Sequence, residues 1–193
     1  MRREILYGAG LALAVAWAVP ARADLVQNGG FETGDLTGWS ASSGVGIDNT
    51  NPYVGSYDAV FTTASGTLSQ TLATTPGQGY LLSFAVDDEN ASVLDSFSVS
   101  FGGFSQSLTG DVTGGSYAVE QYVVPGSDIT TGSTTLSFSA SLDPSSTLAW
   151  NLDSVSVTPE TASIPDPSAL LLLATAGVFG FLIQQMHRRP RGG

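Results

Sequence analysis

The sequence predicts an all-β domain, an antiparallel β-sandwich or jelly roll of about eight strands. Short runs of alternating apolar and polar residues fill the middle of the 193-residue chain, and such alternation is typical of strands with one buried face. Gly, Ser, Thr and Asp separate the runs, as turn residues do. No stretch of the middle keeps the helical period of about 3.6 residues. A two-sheet sandwich accommodates so many short strands better than a barrel does.

The clearest strand signals lie at 93–101 and 134–142. In the first run Phe97, Val99 and Phe101 alternate with serines, and in the second Leu136 and Phe138 alternate with serine and threonine. One face of each strand should therefore be buried and the other exposed to water. Weaker runs occur at 25–27, 57–61, 68–72, 80–86, 117–124 and 149–157. Together these runs place the domain at 24–157.

The first 23 residues have the pattern of a secretory signal peptide. Arg2 and Arg3 precede an apolar run at 5–19, and the small residues Ala21 and Ala23 form an A-x-A cleavage site. The pattern predicts cleavage before Asp24 and export of the domain. The alternative is an N-terminal anchor that is never cleaved.

The C-terminal end has a second sorting pattern. A proline-containing linker at 158–167 ends in Pro165, Asp166 and Pro167, and an apolar run at 169–183 precedes a basic cluster. This order of parts resembles the PEP-CTERM proteins, although that family usually has Glu where Asp166 stands. The resemblance implies a hydrophobic helix with a basic tail at 168–193, a membrane-anchored intermediate, and release to the cell surface or exterior by an exosortase-type enzyme. The alternative is a permanent membrane anchor.

The charge distribution excludes most enzyme chemistry. The region 24–167 contains no Lys, Arg, His or Cys, and it carries every acidic residue of the chain except Glu4. Without those residues there is no Ser-His-Asp triad, cysteine nucleophile, Schiff base or imidazole ligand. A surface this negative also repels nucleic acid. We therefore predict a non-enzymatic protein that has no nucleic-acid partner.

Two segments at the ends of the domain resemble carbohydrate-binding modules with a galactose-binding-like jelly roll. They are LVQNGGFETGDLTGWS at 25–40 and WNLDSVSV at 150–157. In such modules a structural calcium joins the opening and closing strands, and the matching acidic residues here are Glu32 and Asp153. Calcium prefers six to eight oxygen ligands, so backbone carbonyls near Asn28 and at 48–53 would complete the shell. Alternatively, the two acids cap turns or face water.

Glycan binding requires an aromatic platform for the apolar face of a sugar ring, with polar groups beside it. Trp150 alternates out of phase with Val155 and Val157, so we expect it to face outward and to bind glycan together with Tyr53 and Tyr57. The alternative is a bulge that returns Trp150 to the core. Trp39 is expected in the core. Further candidates are Tyr117, Tyr122, Asn51, Asp87, Asp88, Glu89 and Asn90.

The sequence thus predicts an exported envelope or extracellular-matrix protein that binds polysaccharide. The first alternative is a structural or adhesive matrix protein without a specific ligand. A remote third is a glycoside hydrolase that uses two carboxylates from the group Asp87, Asp88, Glu89 and Asp95, which would have to face one another across a cleft.

Overall fold

The structure is a computed structural model that describes residues 23–63, 65–89, 94–109, 116–143 and 150–160. These residues form ten strands and a 3-10 turn at Gly126–Asp128. The strands are β1 (Ser40–Ala41), β2 (Val45–Asp48), β3 (Asp58–Phe61), β4 (Gly66–Ala73), β5 (Tyr80–Asp88), β6 (Ser96–Phe101), β7 (Phe104–Thr109), β8 (Ala118–Val124), β9 (Ser133–Ser141) and β10 (Trp150–Pro159).

The strands form two antiparallel sheets of five strands each. The first sheet has the order β1-β4-β9-β6-β7, and the second has the order β2-β3-β10-β5-β8. Strand β10 lies at the centre of the second sheet, where it pairs with β3 on one side and with β5 on the other. The predicted fold class, an antiparallel β-sandwich, is confirmed.

The core lies between the two sheets and is rich in aromatic side chains. Phe138 packs against Phe84 with ring centroids 5.2 Å apart and against Phe97 at 5.8 Å. Trp39 completes the cluster, with its ring tilted against Phe31 at a centroid distance of 5.7 Å and near Phe138. Aromatic pairs at these distances stabilise a fold by more than the burial of their apolar area alone. The expectation that Trp39 belongs to the core is confirmed.

The alternating runs of the sequence correspond to strands in most places. The run at 93–101 overlaps β6, the run at 134–142 overlaps β9, and five weaker runs overlap β3, β4, β5, β8 and β10. The short β1 and β2 and the polar β7 were not predicted because they present few buried apolar residues. The run at 25–27 forms no strand.

The opening segment nevertheless lies against β10. The Leu25 amide donates to the Val157 carbonyl at 2.9 Å, and the Val155 amide donates to the Gly29 carbonyl at 2.9 Å. The approach at Gly29 is so close that a β-carbon there would stand 2.0 Å from the Val155 carbonyl oxygen. Only glycine fits at this position. The two ends of the domain are therefore hydrogen-bonded to each other.

Trp150 is fully buried, which corrects the expectation that it faces outward. The pairing of β10 with β5 shifts register between Asp153 and Ser156, and Ser154 has φ 51°. This bulge reverses the alternation, so that both Trp150 and Val155 point into the core. Trp150 packs on Phe97 with ring centroids 5.2 Å apart. It is therefore not an open platform for a sugar.

The sorting signals lie almost entirely outside the described residues. This holds for Ala21 of the cleavage site and for the motif Pro165, Asp166 and Pro167. Strand β10 extends to Pro159 and so includes the first two residues of the predicted linker. Among the residues that the structure describes, no helix is long and apolar enough to cross a membrane.

Candidate functional site

Glu32 and Asp153 both hold the loop at 53–57. The Glu32 carboxylate accepts hydrogen bonds from the amides of Ser56, at 2.9 and 3.1 Å, and Tyr57, at 3.1 Å. Asp153 accepts from the Val54 amide at 2.9 Å and from the Ser154 amide at 2.5 Å. Hydrogen bonds to ionised carboxylates are stronger than neutral ones. The opening segment and β10 therefore fix the same loop from two sides.

Two backbone features make this arrangement possible. Gly55 has φ +88°, and a β-carbon there would stand 2.3 Å from a Glu32 carboxylate oxygen, so the loop needs glycine to wrap around that group. Phe31, immediately before Glu32, has φ 56° although its side chain is fully buried. A bulky residue in this region is strained and depends on its surroundings to hold it there.

The two acids predicted to bind calcium thus lie at one loop, and the Glu32 charge acts on Asp153. Burial raises the pKa of Asp153 above its ordinary value, backbone hydrogen bonds oppose this rise, and the nearby Glu32 charge adds to it. Among the described residues, no three acidic, histidine or cysteine side chains are grouped so as to hold a metal ion. A cation held by Glu32 and Asp153 would therefore need backbone carbonyls for most of its shell.

Tyr53 and Tyr117 form a pair on the outer face of the second sheet, with ring centroids 5.3 Å apart. Tyr53 is 43% exposed. The Tyr117 hydroxyl donates to Asp58 Oδ2 at 2.7 Å. Because Tyr117 precedes the edge strand β8 while Asp58 begins β3, the Tyr117 side chain crosses over β5 and β10. One exposed ring therefore rests on a second ring that covers the sheet.

Polar side chains lie beneath the tyrosine pair on the same outer face. Asp58, Asp87 and Asn151 each alternate with core residues of their strands, yet they are 0%, 2% and 0% exposed. Asn151 of β10 lies directly opposite Asp87 of β5. The Asn51 amide donates to Asp87 Oδ2 at 3.2 Å, and the Asn151 amide donates to a Glu89 carboxylate oxygen at 2.9 Å.

Burial perturbs the ionisation of this group. It raises the pKa of Asp58 to about 6, opposed by the Tyr117 hydrogen bond and assisted by the charges of Asp48, Asp153 and Glu89. Burial also raises the pKa of Asp87. The pKa of Tyr117 is raised by burial and by its bond to Asp58, so its hydroxyl stays protonated and acts as a donor. Perturbed groups of this kind are concentrated at functional sites.

The predicted glycan residues are not all brought together. Tyr53 lies at the exposed end of the tyrosine pair, whereas Tyr57 is partly buried against the core and beside Gly34. Sequence reasoning missed Asp58 and the central place of Asn151. Their positions in the strands could have identified them, since both polar side chains alternate with core residues and so lie on the outer face of the sheet.

The four carboxylates considered for a hydrolase do not all lie on one face of the sheet. Asp87 and Asp88 are successive residues of β5, so their side chains point to opposite faces of the sheet. Asp95 is buried, and one of its oxygens accepts from the Asp143 amide at 2.5 Å.

No protein-family model matches the chain, and neither does any curated protein. Solved structures do resemble it. The carbohydrate-binding module TmCBM61, in complex with β-1,4-galactotriose, gives a TM-score of 0.53 at 18% identity, over 72% of this chain and 99% of that module. The CBM22-1 xylan-binding domain of Xyn10C from Paenibacillus barcinonensis gives 0.52 at 19% identity, over 76% of this chain and 100% of that domain.

A Stig cyclase, Fisc from Fischerella sp. TAU, is similar to the same extent. Its TM-score is 0.56 at 16% identity, over 74% of this chain and 100% of the cyclase. The same architecture therefore serves both binding modules and an enzyme, and a fold alone does not assign an activity. The chain has the jelly-roll β-sandwich fold of these proteins.

Proposed function

We propose that the sandwich is a non-enzymatic binding domain that takes a polysaccharide at the tyrosine pair on the outer face of the second sheet. The observation that carries this proposal is the exposed Tyr53 ring, supported by Tyr117 and bordered by polar side chains. An aromatic face of this kind suits the apolar face of a pyranose. Asn51 and Glu89 lie at the same face to meet sugar hydroxyls.

The charge of the domain narrows the class of glycan. The region 24–167 has no positive side chain, so a polymer of uronic acids or sulfated sugars would be repelled. We therefore propose a neutral or amine-bearing polysaccharide. The fold likeness to TmCBM61 and to the CBM22-1 domain supports glycan binding as a class.

A glycan array tests this proposal with the full chain, purified in a detergent without a sugar head group. We expect retention on neutral or amine-bearing polysaccharides. Tyr53→Ala should weaken binding by about thirtyfold, because truncating an aromatic anchor costs about 2 kcal/mol or more. Val119→Ala removes another exposed apolar side chain from the same sheet and should bind as wild type does. Equal binding by the two variants would remove Tyr53 from the site.

The alternative function is that of an adhesive or structural matrix protein without a specific ligand. Its distinguishing result is an array on which the folded wild-type protein binds nothing. Catalysis is the less favoured third possibility, because Asp87 and Asp88 are successive residues of β5 that point to opposite faces of the sheet, and Asp95 is buried.

We further propose that calcium, held by Glu32 and Asp153, stabilises the loop at 53–57. A ligand that binds only the folded state contributes about 2.7 kcal/mol at a hundred times its dissociation constant. The melting temperature should then rise by roughly 5–10 °C in calcium. Glu32→Gln and Asp153→Asn should abolish this rise. Magnesium and sodium at matched ionic strength control for screening, and an equal rise in all three salts would contradict the proposal.

We also propose that the chain is exported and sorted by its two terminal signals, with an exosortase-type enzyme acting near Pro165. Mass spectrometry of protein released by the native host should find the N-terminus at Asp24. It should find no peptide from 169–183. Intact tail in the released protein would exclude sorting by cleavage and favour a permanent anchor.

A further inference from the structure

The contact between Tyr53 and Tyr117 joins two phenol rings. Their ring centroids lie 5.3 Å apart, and the ring planes are tilted by 49°. In every other ring contact that a tyrosine makes among the described residues, the partner is a phenylalanine. Two phenols close enough to react with each other therefore meet at this one place in the described part of the chain.

The domain offers an oxidant few other targets. Cysteine and methionine are the usual sites of protein oxidation, and the region 24–167 contains neither. Both tryptophans of that region, Trp39 and Trp150, are buried in the core. Tyr53 is the most exposed of the described tyrosines. A one-electron oxidant that arrives from solvent therefore meets Tyr53 first, with Tyr117 directly behind it.

Tyr117 has an acceptor for the proton that a phenol loses on oxidation. Its hydroxyl donates to Asp58 Oδ2 at 2.7 Å, so the proton can pass along an existing hydrogen bond to a carboxylate. The charges of Asp48, Asp153 and Glu89 around Asp58 favour a proton at this position. Loss of an electron from Tyr117 can thus be accompanied by transfer of its proton.

Both rings are also held in place before any reaction. Tyr53 begins the loop at 53–57, whose backbone amides bond to Asp153 and Glu32, and Tyr117 is held by Asp58. Groups that are fixed in contact react with each other far faster than groups that must meet by diffusion. Oxidation should therefore join these two rings within one chain rather than link separate chains.

We propose that Tyr53 and Tyr117 form an oxidative modification site, at which a peroxidase that uses hydrogen peroxide joins the two rings as an intramolecular dityrosine. Each phenol loses one electron and one proton, and the proton passes from Tyr117 to Asp58 and from Tyr53 to solvent. The two phenoxyl radicals couple between ring carbons ortho to oxygen. The hydrogens on those carbons then move to the oxygens and restore both hydroxyls. The electrons and protons removed reduce hydrogen peroxide to water.

The bond gives the domain a covalent cross-link in place of a disulfide, which a region without cysteine cannot form. It ties the loop at 53–57 to the start of β8, two segments that are far apart in sequence. A cross-link of this kind stabilises mainly by restricting the unfolded chain, and more so when the closed loop is long. The reaction needs neither calcium nor a glycan, so the inference does not depend on the proposed function.

Treatment of the purified full chain with a peroxidase and limiting hydrogen peroxide tests the site. We expect dityrosine fluorescence in the monomeric protein. Mass spectrometry should find a linked pair of peptides, containing Tyr53 and Tyr117, whose mass is two hydrogens below the sum of the separate peptides. The digestion needs a protease that cuts at acidic residues, because 24–167 has no Lys or Arg for trypsin. The melting temperature should rise by roughly 10 °C or more on cross-linking.

Tyr53→Phe removes the phenol but keeps the exposed ring that we propose as a platform for a sugar. It should abolish the rise in melting temperature and most of the dityrosine fluorescence of the monomer. Tyr122→Phe is the matched control, because the Tyr122 hydroxyl also donates to a carboxylate, that of Glu120 at 2.6 Å, while its ring contacts only phenylalanines among the described residues. This variant should cross-link as wild type does.

The proposal is overturned if the oxidised wild-type monomer contains no linked pair of Tyr53 and Tyr117. It is also overturned if Tyr53→Phe keeps the fluorescence and the rise in melting temperature. Covalent dimers joined through Tyr53, formed in preference to the cross-linked monomer, would overturn it as well and would make Tyr53 a site of cross-linking between chains.

Discussion

Acidification from about pH 7 to about pH 4 in chelator should stabilise the sandwich by up to about 3 kcal/mol. The pKa of Asp58 is raised from 3.8 to about 6 in the folded protein. The folded state therefore binds its proton more tightly than the unfolded chain does. This stabilisation is fully present below the unfolded pKa and is lost as the pH rises through about 6. Asp87 and Asp153, whose pKa values are also raised, act in the same direction. Asp35 and Asp48, whose pKa values are lowered, act against it.

Asp58→Asn tests whether Asp58 is the source of the stabilisation by acid. It should melt at a higher temperature than wild type at neutral pH in chelator, and its stability should change less between pH 7 and pH 4. Asp35→Asn is the control, because hydrogen bonds to Thr33 and Thr37 lower the pKa of Asp35. Chemical denaturation at several pH values provides the measurement. A wild type that loses stability steadily below neutral pH would contradict the assignment.

Trp150→Ala should destabilise the domain by about 3–5 kcal/mol and lower its melting temperature by roughly 10–20 °C. The ring is fully buried, packs on Phe97 and occupies the first position of the central strand β10. Removing it leaves a cavity that the rigid neighbouring strands fill only in part. Denaturant unfolding measures the loss.

Trp150→Phe keeps an aromatic ring in the same space and should cost less than the alanine variant. Neither substitution should change glycan affinity when measured well below the melting temperature. If Trp150→Ala kept full stability and lost binding, Trp150 would be a surface platform after all. Tyr53→Ala is expected to show that opposite pattern, because its ring is partly exposed.

Strand alternation made most of the fold predictable from the sequence. The burial of a residue such as Phe138 can be inferred from the serines on either side of it, since one face of each strand is in the core. Alternation gave the wrong face for Trp150, because the bulge at Ser154 reverses the alternation and no local residue pattern indicates the bulge. Alternation also could not predict the polar strand β7, since Leu108 is its single buried residue.

The candidate site was predictable only in part. Glu32 and Asp153 were identified through resemblance, and the loop that they share became evident only from backbone hydrogen bonds. Asp58, Asp87 and Asn151 come from three strands that are distant in sequence, and only the order β3-β10-β5 brings them to one face of one sheet. Sequence gives the phase of each side chain, whereas strand order decides which side chains meet.

The position of β10 also determines how the domain responds to mechanical load. Strand β5 pairs with it through Pro159, β3 flanks its start, and the opening segment bonds to Val155 and Val157 on β10. Tension applied at residue 160 therefore acts in shear on hydrogen bonds along both sides of a central strand. An edge strand such as β8 would instead peel away one bond at a time. A chain tethered through its C-terminal end would thus be pulled at the strand that is hardest to extract.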